Sequence, residues 1–115
     1  MQLKRVMTLL FTPLVFMSTH TVAANWKDTN DVKIKLISVW TANGDVLIQT
    51  EPRHNISGLN CTNDYWLTLN KNEPGFQATL SMLLSAQATQ KPVLVRAQGE
   101  GGEFCRLTRV ITKAG

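Results

Sequence analysis

Past an apolar leader, only one stretch of this 115-residue chain reads as an amphipathic helix, Pro74 to Thr89 (PGFQATLSMLLSAQAT), and strand-like segments flank it on both sides. Phe76, Leu80, Leu83, Leu84 and Ala88 recur at helical spacing and are expected to form one apolar stripe lying on a sheet. Pro74 suits the helix start, where no N–H donor is required, and Lys91-Pro92 marks its end. With all helical signal confined to one place, the chain reads as mainly β.

Three strands are expected before the helix. Asp31 to Trp40 (DVKIKLISVW) sets Val32, Ile34, Leu36 and Trp40 on one side, and Ile37 and Val39 turn the other side apolar too, predicting a strand buried on both faces at its end. Asn43-Gly44 predicts a tight hairpin turn into Asp45 to Thr50 (DVLIQT). Glu51 to Asp64 is a long, turn-rich connection, and loops of that length in small domains are either functional or pinned. Tyr65 to Leu69 (YWLTL) is the third strand, with Trp40 and Tyr65 read as core. After the helix come Pro92 to Ala97 (PVLVRA), a glycine-rich loop at Gly99 to Gly102, and Cys105 to Thr112 (CRLTRVIT), where Cys105, Leu107 and Ile111 share one face.

The order β-β-β-α-β-β matches the OB-fold, a five-stranded, partly open barrel with one helix between strands three and four. Rolling up lets five short strands bury one face and removes most free edge. The competing arrangement is an open α+β sheet with the helix on one face.

Residues 1–24 have the three parts of a secretory signal peptide: Lys4 and Arg5, the uncharged run Val6 to Met17, and the small residues of Thr21-Val22-Ala23-Ala24. Its apolar run is too short for a membrane span, which needs roughly 20 residues. Cleavage after Ala23 or Ala24 would leave a single domain over residues 25–115, in the periplasm or outside the cell. Without Lys4 and Arg5, ten basic residues face eight acids, a net charge of about +2. That is weak for a polyanion binder, so nucleic acid is not expected as a partner. In an oxidising compartment Cys61 and Cys105 are expected to form a disulfide.

No catalytic residues, cofactor or metal are expected. His54 is the one histidine past the leader and reads as a solvated loop residue, and the eight acids are scattered. The two sequons, Asn55-Ile56-Ser57 and Asn60-Cys61-Thr62, are read as chance matches. The helix carries no charged residue from Pro74 to Gln90, and its Gln77, Ser81, Met82 and Ser85 are candidates for a contact with another copy of the chain. A solvent-facing helix with ordinary small polar residues accounts for the same pattern.

The stretch Phe76 to Val95 (FQATLSMLLSAQATQKPVLV) is similar to the helix-then-strand passage of the B subunits of bacterial AB5 toxins of the subtilase-cytotoxin and typhoid-toxin type. The chain also resembles small exported OB-fold proteins of gammaproteobacteria, with a Trp near the mature N-terminus, a glycine in the first hairpin and a Cys before strand three. This resemblance implies a non-enzymatic, oligomeric, glycan-binding subunit. None of that family's glycan-binding residues has a match here. A protein-binding periplasmic inhibitor or accessory protein is the alternative. Either partner would engage the loops Glu51 to Asp64 and Gln98 to Phe104, and Arg53, His54, Trp66, Glu100 and Phe104 are the candidate contacts.

Overall fold

A computed structural model describes residues 25–114 of the chain. The signal-peptide expectation lies outside the described residues. The elements are β1 (Trp26–Asp28), β2 (Lys33–Val39), β3 (Val46–Glu51), β4 (Asn63–Leu69), α1 (Phe76–Thr89), β5 (Leu94–Gln98) and β6 (Phe104–Ile111). They form one six-stranded sheet in the order β1-β5-β6-β4-β3-β2, antiparallel throughout except for the parallel β4–β6 pair.

The expected five-stranded barrel is therefore corrected to an open sheet of six strands. The extra strand is β1, three residues that pair with β5 from Trp26–Gln98 to Asp28–Arg96. The sheet curls far enough for its two flanks to meet at one isolated bridge. There the Val32 and Val93 backbones exchange two hydrogen bonds, at 2.9 and 2.8 Å. The helix lies on one face, as in the competing arrangement, and packs against β2 and β6.

Two β-bulges reset the expected side-chain alternation. In β2 the register moves from Ile34–Thr50 to Leu36–Gln49, so Lys35 is an inserted residue. Downstream of it Ile37 and Val39 share the face of Ile48 and Val46, while Leu36 and Trp40 turn away. Leu36 is 40 % exposed and Trp40 60 %. The strand is thus not buried on both faces at its end. In β6, Arg109 pairs with Arg96 and Leu107 with Ala97, leaving Thr108 as the insertion. Val110, not Ile111, then packs with Cys105 and Leu107 against the core.

The first hairpin also differs from expectation. Trp40 N–H donates to the Asp45 carbonyl at 2.8 Å and closes a four-residue turn, Thr41 to Gly44, instead of a two-residue one. Gly44 takes φ +83°, a conformation that costs glycine nothing.

The core comprises Val32, Ile34, Val46, Ile48, Leu67, Leu69, Val93, Val95, Ala97 and Leu107 from the sheet, with Leu83 and Ala86 from the helix. Phe76 and Leu80 pack at its margin. Leu84 and Ala88 are exposed, so the buried stripe runs through Phe76, Leu80, Leu83 and Ala86. The helix starts two residues after Pro74 and ends at Gln90, whose left-handed conformation lets its N–H reach the Ala86 and Gln87 carbonyls.

Cys61 and Cys105 form a disulfide, with Cα atoms 5.3 Å apart. It ties the long Glu51–Asp64 connection to the start of β6. The same connection is held to β1 by Lys27 Nζ donating to Ser57 Oγ at 2.7 Å, and to Asn25 through the Asn60 N–H at 3.0 Å.

Candidate functional site

The loop that follows β3 doubles back against β1, and between them lies a cleft of about 330 Å3 lined by Lys27, Asp28, Thr29, Asn30, Val32, Pro52, Arg53, His54 and Asn55. Each wall is fixed locally. On the β1 side, Thr29 N–H donates to the Val95 carbonyl at 2.8 Å, and its hydroxyl accepts from Val95 N–H at 3.0 Å. On the loop side, Thr50 Oγ1 donates to the Pro52 carbonyl at 2.8 Å, and the Asn55 side-chain oxygen accepts from Ser57 N–H at 2.8 Å.

His54 corrects its sequence reading most clearly. Expected to be solvated, it is 2 % exposed, and neither ring nitrogen has a hydrogen-bond partner among the described residues. Burial pushes its pKa below the ordinary histidine value, with Asp64 pulling it back up and Arg53 adding to the depression. The imidazole is therefore neutral at pH 7, offering one N–H and one lone pair.

The charges around it are largely paired. Asp28 accepts from Arg96 Nε at 2.7 Å and Nη2 at 3.1 Å, and this hydrogen-bonded guanidinium holds its pKa below the usual carboxylate value. Arg53 lies 3.4 Å from Asp64, with its guanidinium carbon 4.9 Å from the centre of the Tyr65 ring. Lys27 forms no ion pair among the described residues.

Of the residues predicted from sequence, Arg53 and His54 line the cleft, and Trp66 is not among its lining residues. The register of β4 against β6 jumps from Asn63–Phe104 to Leu67–Cys105, which leaves Asp64, Tyr65 and Trp66 without partners on β6. This bow carries Tyr65 under Arg53, and Trp66 meets Tyr65 edge-on at 5.0 Å between centroids. Tyr65 and Trp40, read as core, are both exposed, at 38 % and 60 %.

Glu100 and Phe104 are not among the residues that line the cleft. Glu100 pairs with Arg106 at 2.8 Å, and Arg106 also reaches Glu73 at 3.4 Å. Phe104 is half-buried beside Asn63. The two loops expected to act together do meet: Gly101 N–H donates to the Asn60 carbonyl at 2.6 Å, and the Glu103 carbonyl accepts from Thr62 and Asn63.

Sequence reasoning missed Lys27, Asp28, Thr29 and Asn30, because a three-residue strand leaves no periodic signal. Gln77, Ser81 and Ser85 are exposed and Met82 is half-buried. Ser81, Met82 and Ser85 line a second depression of about 380 Å3 shared with Lys91 and Thr112.

No group of three or more His, Cys, Asp or Glu residues with metal-binding geometry occurs among the described residues, and no helix there is long and apolar enough to cross a membrane. No family model, curated protein or solved structure matches this chain.

Proposed function

We propose that the chain is an exported, non-enzymatic binding module whose ligand enters the cleft between β1 and the Pro52–Asn55 loop. The observation that carries this reading is His54, enclosed in the cleft wall with both ring nitrogens unpartnered. Buried polar groups in folded proteins are nearly always hydrogen-bonded, and leaving one unpaired costs roughly 1–3 kcal/mol. A ligand offering partners to that ring removes the cost. Binding is favoured over catalysis because His54 makes no hydrogen bond to an acid that would orient it or to a nucleophile it would activate. Export is supported by the leader sequence and by a disulfide of the kind formed in oxidising compartments.

The strand succession β2-β3-β4-β6-β5, with its parallel β4–β6 pair and the Val32–Val93 bridge, supports an OB-like reading of the curled sheet. A toxin-B-like oligomer is the finer form of the proposal. It draws on the helix face, where Gln77, Ser81, Ser85 and the 48 %-exposed Leu84 present no charge. Light scattering on wild type and Met82→Glu tests it: a wild-type monomer ends the oligomer claim.

The binding reading is tested by titrating the 15N-labelled protein with a fragment library and mapping amide shifts. Shifts centred on Lys27–Asn30 and Pro52–Asn55 support it, and hits confined to other surfaces overturn it. A glycan array and a pull-down from periplasmic extract then separate a sugar from a protein partner.

A further inference from the structure

Resting on the reading of this cleft as a binding site, we infer that its ligand presents a small oxyanion, and that His54 takes up a proton as the anion arrives. The charges lining the cleft favour an anion. Its one acid, Asp28, is already held at both oxygens by Arg96, and Arg53 is balanced by Asp64. Lys27 remains, with a serine hydroxyl as its only side-chain partner among the described residues, so the paired lining carries one uncompensated positive charge there.

The proton follows from the charge that an anion brings to the buried His54 ring. A neutral imidazole offers one donor and one acceptor, whereas an oxyanion supplies acceptors only. Bound to the neutral ring, the anion would satisfy one nitrogen and leave the other facing an oxygen lone pair or nothing. The two ring nitrogens point to opposite sides, so one small anion takes a hydrogen bond from one N–H, and its charge beside that N–H favours imidazolium and offsets the desolvation that keeps the free ring neutral. Asp64 on β4 and Arg53 on the same loop are the charges that act on this ring, and Lys27 and Asp28 on β1 line the cleft with it. Asp64 already favours the protonated form, and an anion between Lys27 and His54 acts in the same direction.

The test uses acetate and sulfate, which do not titrate near neutrality, with acetamide as the neutral isostere and chloride holding ionic strength constant. Long-range 1H–15N spectra report the His54 tautomer and pKa, and amide shifts report affinity from pH 8 to pH 6. Both anions should raise the His54 pKa. Affinity should tighten by about tenfold per pH unit on acidification while the free ring is neutral and the bound ring charged. Lys27→Met should weaken anion binding several-fold, and His54→Gln should abolish its pH dependence while keeping a polar side chain in the cleft.

Acetamide binding as well as acetate, or an unmoved His54 pKa at saturating anion, overturns the oxyanion inference while leaving the cleft a binding site. Absence of any perturbation at the cleft by anions, acetamide and fragments alike overturns both.

Discussion

The Arg96 guanidinium and the Asp28 carboxylate face each other across the β1–β5 pair, Nε and Nη2 donating to the two carboxylate oxygens at 2.7 and 3.1 Å. The same guanidinium lies over the Trp26 ring, 3.7 Å from its centroid. Trp26 and Asp28, the first and last residues of β1, therefore share one arginine that holds this three-residue strand. Since Lys27 and Asp28 form part of the cleft wall, this contact also shapes the candidate site.

Arg96→Ala should loosen β1 from β5 without unfolding the sheet. Amide exchange at Lys27 and Thr29, whose N–H groups face β5, should accelerate at least tenfold, and Trp26 emission should shift towards that of solvated indole. Unchanged protection at β1 would show that backbone pairing alone suffices there.

Acid should release the same contact. The Asp28 pKa is depressed in the folded state, so the pairing contributes fully above the ordinary carboxylate value of about 3.9 and is lost as pH falls through the lower folded value. A Trp26 emission change with its midpoint below that value is expected in a Trp40→Phe, Trp66→Phe background. A midpoint at or above it would contradict the pairing.

His54 gives a pH dependence in a different window. Its folded pKa lies below its unfolded value of about 6.5, so between the two the unfolded chain binds more protons and stability falls on acidification. Urea unfolding at pH 7 and pH 5.5 should show this loss, and His54→Leu should remove most of it. Because leucine takes away two unpartnered nitrogens, the variant should be neutral to about 2 kcal/mol more stable at pH 7. Loss of ligand binding in the same variant would be the matching cost of function.

Reduction of the disulfide, or Cys61→Ala with Cys105→Ala, opens a loop spanning 44 residues of sequence. Chain entropy assigns such a closure about 4 kcal/mol, which for a domain of this size lowers the melting temperature by on the order of 20 °C. Calorimetry with and without reductant measures it directly. A shift of only a few degrees would mean that the ties from Lys27 and Asn25 already fix the loop.

What could be read from sequence follows from how far each signal reaches. The helix, five of the strands and the cysteine pairing rest on local periodicity and on simple counting, and these expectations match the fold. The facing of Val110 and Trp40 does not, because one inserted residue, Lys35 or Thr108, inverts every side chain beyond it and leaves no mark in the hydrophobic pattern. Arg53 and His54 stood out as polar residues in a long loop. Their partners at Lys27 to Asn30 come from the far side of the fold, brought there by a pairing between β1 and β5 that spans most of the domain. The cleft that His54 shares with them could not be read from its sequence neighbours.

Gly99 is the most sterically committed glycine in the fold, and it joins three segments. Its N–H donates to the Asn25 carbonyl at 2.9 Å, and its own carbonyl accepts from the Asn25 side-chain amide. A Cβ at this position would clash with the Asn60 backbone nitrogen and lie 2.9 Å from the Asn60 carbonyl carbon. Those are backbone atoms next to the disulfide, so they cannot swing aside as the end of a flexible side chain would. Gly99→Ala should therefore push the Asn60 segment away and cost about 1–3 kcal/mol, the usual range for forced overpacking. Gly102→Ala, which meets nothing within 4 Å, is the control and should be nearly silent. Equal stability of the two variants by urea unfolding would show that the contact between the loops yields without strain. A selective loss in Gly99→Ala, with exchange faster at Asn60 and Gly101, would establish it as the joint between the N-terminal strand and both long loops.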